Sequence, residues 1–158
     1  MIPPLAFTEA DSAHANKLFG ANCGPHALAA ATGKSVLTAI QAIPDFIKKR
    51  YTNPTMMTAG LKALNAHYTL SKNLRVKGVP ENGVARIQWE GRWLRSDAPP
   101  IAAYPYTHWV GCKDEHIFCT AISRFGWVPY SVWADELAQL CARNNYDGWH
   151  VTHQYLFI

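Results

Sequence analysis

Cysteine and histidine are the residues of this chain best suited to covalent chemistry, and one cysteine stands in a telling place. Cys23 lies in Gly20-Ala21-Asn22-Cys23-Gly24-Pro25-His26, which reads as a loop turning into a helix. Pro25 suits a first helical turn, where the amide it lacks would be unpaired anyway. Residues 27–31 are nearly all strong helix formers, and Gly33 can end the helix in a left-handed cap. A thiol at a helix N-terminus meets unpaired amides and the positive end of the helix dipole, so the placement predicts a lowered pKa for Cys23. Gly24 has no side chain and would let a substrate backbone come close. The other reading of the stretch is a small buried cysteine at a helix start.

A thiolate nucleophile needs a base, most often histidine. The candidates are His14, His26, His67, His108, His116, His150 and His153. His26 lies on the helix that follows Cys23 and is expected to point along it, away from the thiol. His108 sits in Tyr106-Thr107-His108-Trp109-Val110-Gly111, an apolar strand of a mid-chain hairpin. A lone buried histidine usually satisfies a core hydrogen bond. A cysteine before a helix followed much later by a histidine on a strand is, however, the layout of a Cys–His nucleophile pair.

Metal chemistry is not expected. Cys112, His116 and Cys119 are closely spaced, but the Cys-x2-Cys pairs of zinc sites are missing. Regular strand alternation would also put His150 and His153 on opposite faces. No metal site and no cofactor is called for.

The elements that must position these groups fall into two halves. Residues 1–15 read as an irregular arm with weak helical character from residue 9. Helices follow over 25–32, from a Ser35 cap to about Ile43, briefly over 45–50, and over about 55–65. Strands are expected over 84–89, 101–104, 107–112, 116–122 and 149–158, with a short apolar segment at 127–130 and a helix from Ser131 to Arg143. Helices first, then a mostly antiparallel sheet with one late helix, is an α+β pattern. Residues 1–158 are expected to form a single domain.

Composition narrows the function classes. The chain has 158 residues, 49% of them apolar and 16% charged, with a net charge of +4. Its one dense basic run, Lys48-Lys49-Arg50, reads as a solvated helix end rather than a nucleic-acid patch. No run of about 18 apolar residues is present, so no membrane span is expected. Met1-Ile2-Pro3-Pro4 lacks a charged and then apolar leader. With four cysteines, these features predict free thiols in a reducing, cytoplasmic setting.

Asn22-Cys23-Gly24-Pro25 followed by Ala27-Leu28, together with His108-Trp109-Val110 beginning a hairpin, resembles the papain-like cysteine peptidases. The compact C39-like group is the most similar. The resemblance spans about residues 16–130 and implies N-terminal helices packed on a mostly antiparallel sheet. It implies a peptide or amide substrate, a covalent thioester on Cys23, and His108 as general base and then acid. The Cys23 amide would help hold the oxyanion. The family places a glutamine six residues before the cysteine; Lys17 stands here, beside Asn16, and these are the candidate oxyanion donors. The family also has an Asp or Asn after the histidine, and residues 116–122 contain neither. A three-residue turn at 113–115 would set Thr120 opposite His108. A two-residue turn would set Cys119 diagonal to it. Without the family residues, the same layout also fits a protein-binding module that has lost turnover, or a Cys–His acyltransferase.

Overall fold

The computed structural model describes Ile2 and residues 4–158. Met1 and Pro3, part of the stretch read as leaderless, lie outside the described residues. Helix α1 (Glu9–Phe19) is a full helix rather than the weak one expected. Thr8 caps it by accepting from the Asp11 amide, and Asp11 accepts the Thr8 amide in return, a capping box that fixes its start. Helix α2 (Cys23–Thr32) ends at Gly33 with φ 69°, as the sequence predicts. Helices α3 (Val36–Ala42), α4 (Phe46–Lys49) and α5 (Pro54–Ala63) complete the helical half. Ser35 and Asn53 cap α3 and α5 through their side chains.

The second half builds one sheet from β1 (Tyr68–Ser71), β2 (Asn82–Glu90), β3 (Thr107–Lys113), β4 (His116–Phe118), β5 (Trp127–Pro129) and β6 (Gly148–Phe157). The order is β1-β6-β2-β3-β4-β5, with every neighbouring pair antiparallel. Helix α6 (Tyr130–Arg143) packs on the face opposite α2. The molecule is α+β, as the sequence predicts.

Three expectations change. Residues 101–104 are not a strand but part of a 3-10 helix, Pro100–Tyr106, because Pro99, Pro100 and Pro105 remove the amides that a ladder needs. The returning strand stops at Phe118 rather than Ile122. A bulge in β6 shifts its register against β2 between Arg86 and Ile87. Gln88 pairs with His150 and Arg86 with His153, so the two histidines share a face instead of opposing one another.

Two cores lie on the two faces of the sheet. On one, Leu28, Ile40, Met57 and Leu61 pack with Val84, Trp109 and Tyr155. On the other, Ile87, Val110 and Ile117 pack with Trp133 and Leu137. Full burial of each such side chain stabilises by about 1.5–3 kcal/mol. Helix α2 lies directly on β3, where a Cβ at Gly111 would stand 3.2 Å from the Ala27 carbonyl and 3.3 Å from the Ala30 methyl. That close approach carries the first turn of α2 to the beginning of β3.

Candidate active site

Cys23 is the first residue of α2 and is partly buried. Its sulfur lies against three backbone amides, those of Trp109, Gly24 and Cys23 itself, and within reach of the Arg86 charge. The Trp109 amide is free for a reason of register. The β3–β4 hairpin closes on the two-residue turn Asp114-Glu115, both at positive φ (46° and 62°), with Lys113 opposite His116. Alternation then turns the Trp109 N–H toward the β4 side, and β4 has already ended at Phe118. The thiol sits where the hairpin opens.

Burial nevertheless decides the ionisation. Desolvation raises the Cys23 pKa above the ordinary thiol value, and the three amides and Arg86 only partly offset it. This corrects the expectation of a lowered pKa, which counted the helix terminus and not the loss of water. Burial likewise holds His108 down at about 4. At neutral pH both groups are uncharged.

His108 is 8% exposed and carries its ring on the sheet face opposite α2, beside Trp89. Its Nε2 is 3.3 Å from Cys119 Sγ, a hydrogen bond whose donor depends on the tautomer. This is the diagonal placement that a two-residue turn dictates, and Thr120 is exposed instead. Among the described residues no hydrogen bond joins His108 to Cys23, and the ring's Nδ1 makes none. The Cys119 sulfur also meets the amides of Ala121 and Ile122. Burial, with a smaller contribution from Cys23, pushes its pKa up to about 11 against those donors. Cys119 thus touches His108, and its sulfur is near enough to Cys23 for the two thiols to interact electrostatically.

The other expected donors lie elsewhere. Asn16 and Lys17 are exposed on α1. Asn16 lines a cavity of about 200 Å³ with Ser12, Cys119 and Thr120, and Lys17 does not. His26 points away from the thiol and is fully buried. Its Nε2 is 2.7 Å from Ser12 Oγ and its Nδ1 3.1 Å from the Asn22 carbonyl, which ties α1 to α2. Gly24 leaves no gap for a substrate, because Thr52 fills it: a Cβ there would stand 2.2 Å from Thr52 Oγ1. Cys112 and Cys141 are buried and free, and burial raises both pKa values. His150 bonds Glu90 through Nδ1 at 2.7 Å. No group of three or more His, Cys, Asp or Glu that could hold a metal is found among the described residues. No described helix is long and apolar enough to cross a membrane.

Asn22 is the site residue that sequence reasoning missed. It is 3% exposed, and neither its side-chain nitrogen nor its oxygen has a partner. An Asn before a helix ordinarily accepts from the second or third helical amide. Here the third helical residue is Pro25, which has none, and the side chain does not cap. The Asn-x-x-Pro spacing was the available signal.

Comparison of the chain with protein-family models, curated proteins and solved structures finds no match.

Proposed function

We propose that this protein is a papain-like thiol hydrolase of the peptidase or amidase type, with Cys23 as nucleophile and His108 as base. The observation that carries the reading is the Cys23 thiol at the first turn of α2 against the amide of Trp109, the residue that follows His108, whose ring Cys119 holds at 3.3 Å. With Nε2–H donated to Cys119, the lone pair of Nδ1 has no partner, and a turn of the ring from the far face of the sheet toward α2 would let it take the Cys23 proton. Cys119 then does the orienting work that an Asp or Asn does in the family. It contributes no fixed negative charge, which suits a ring that rests neutral.

Both groups being uncharged at neutral pH, the thiolate forms during attack rather than before it. His108 removes the Cys23 proton as sulfur bonds to the substrate carbonyl carbon, and the imidazolium then protonates the departing amine. Water, deprotonated by the same ring, cleaves the thioester and releases the acid. The Cys23 amide is one donor to the oxyanion, and the unpartnered Asn22 amide is the other. Lys17, at the family's glutamine position, has no part in this scheme.

Acylation by p-nitrophenyl acetate, followed by peptide mapping, tests the assignment. The acetyl group is expected on Cys23, with the burst of p-nitrophenolate lost in Cys23→Ala. Acetylation of Cys119 instead would make that thiol, the one bonded to His108, the nucleophile. No acylation of either would leave the cluster a structural feature of a binding module.

A further inference from the structure

Arg86 is a partly buried cation without an acid. It lies on β2 directly opposite Trp109, on the sheet face that α2 covers. Its Nε is buried and has no hydrogen-bond partner. Among the described residues its one side-chain bond runs from Nη1 to Thr152 Oγ1 at a long 3.4 Å. The ion pairs among the described residues are Arg75–Glu90, Arg124–Glu136 and His150–Glu90, and none includes Arg86. The ionisable groups whose charges reach it are Tyr104, Tyr155 and Cys23, with no Asp or Glu among them. Burying a guanidinium without a counter-charge is costly, and such groups are normally paired.

We propose that Arg86 is the anion-binding residue of this site, and that the substrate attacked by Cys23 carries a carboxylate. The proposal rests on the reading of Cys23 as nucleophile and adds the class of substrate. The Trp109 amide against the Cys23 sulfur and the Arg86–Trp109 register bring the guanidinium close to the reacting atom. The planar fork of an arginine matches a carboxylate by two parallel hydrogen bonds, and the idle Nε is one of the donors that such a pair uses. His153, opposite Arg86 on β6, adds no second charge. Burial first, then the charges of Arg86 and Lys72, holds it down at about 4, so it is neutral at physiological pH. One fixed charge fits a carboxylate monoanion better than a phosphate dianion.

Alkylation of Cys23 by iodoacetate and by iodoacetamide reads this directly, since the two reagents differ in one carboxylate. In each, the sulfur displaces iodide from carbon. Relative to the same ratio measured on glutathione, the iodoacetate-to-iodoacetamide rate ratio at Cys23 is expected to be raised about tenfold and to saturate with reagent. Arg86→Gln should bring the ratio down to the glutathione value, and Arg86→Lys should keep part of the preference. An equal loss with both reagents would mean that Arg86 acts only on the ionisation of the thiol, and would overturn the proposal. So would an unchanged ratio.

A second measurement needs no reaction at Cys23. In the unmodified protein, the Arg86 Nε–H resonance should shift saturably on titration with sodium acetate and not with sodium chloride at matched ionic strength. No shift, or tighter binding of inorganic phosphate than of acetate, would overturn the carboxylate assignment. Either result is separable from failure of Cys23 to accept an acetyl group, which would count against the hydrolase reading itself.

Discussion

At the scale of single residues, what surrounds Cys23 and His108 sets the chemistry open to them. Cys119 offers His108 a polarisable but uncharged partner. Replacing it with an acceptor that holds the ring more firmly should help, so Cys119→Asn is expected to raise the acylation rate of Cys23 several-fold. Burst kinetics with p-nitrophenyl acetate would show it, and a fall in rate would mean that the thiol does more than orient the ring. Asn22 makes the opposite prediction. Its side chain forms no hydrogen bond in the resting protein, so Asn22→Ala should leave the melting temperature nearly unchanged. The loss of an oxyanion donor should cut acylation by about 100- to 1000-fold. The helix start at Cys23 and the strand that carries His108 are legible in the sequence because both are local patterns. Asn22 and Arg86 are not, because a missing partner shows only once the chain has folded. The raised pKa of Cys23 is not legible for the same reason: the dipole is local, and the desolvation comes from the packed neighbours.

At the scale of elements, the site depends on how closely α2 approaches what lies around it. Thr52, in the loop before α5, fills the space over Gly24, and its carbonyl accepts the Trp109 indole N–H at 2.9 Å. A methyl at Gly24 would overlap both Oγ1 and Cβ of Thr52, at 2.2 and 2.5 Å. Gly24→Ala is therefore expected to destabilise by about 1–3 kcal/mol, read as a lower urea midpoint. Thr52→Gly in the same chain should recover part of that loss, because the two positions share one contact. The late helix and the helices-then-sheet order are legible from periodicity and turn residues, while β1 (Tyr68–Ser71) is not. The choice between Cys119 and Thr120 was not. It turns on whether the hairpin loop has two residues or three, and Lys113-Asp114-Glu115 permits both. The positive φ of Asp114 and Glu115 decides it, and each is a single-residue conformation that no periodicity records.

For the molecule as a whole, the buried histidine links function to acid stability. His108 titrates at about 4 in the folded protein against 6.5 in a solvated one. Between those values the unfolded chain binds the proton and the folded chain does not, so stability is full above about 6.5 and falls as the pH drops toward 4. For a group this buried the loss is roughly 3 kcal/mol. His153 is also held near 4, by burial and then by Arg86 and Lys72, and adds a smaller share because it is half-exposed. Urea titrations across this range should show the decline, and His108→Gln should flatten it. A stability that stays constant between these pH values would mean that the ring is solvated.

The proposed hydrolase chemistry requires a neutral His108 to take the proton of Cys23. The rate of Cys23 acylation by p-nitrophenyl acetate as a function of pH, in the wild type and in His108→Ala, tests it most directly. The wild-type rate should climb through an ionisation at about 4, where His108 loses its proton, and stay high at neutral pH. In His108→Ala that limb should vanish, and the neutral-pH rate should drop by about 100- to 10,000-fold. Acylation of Cys23 that is equally fast in both proteins, and rises only where a thiol ionises unaided, would contradict the account.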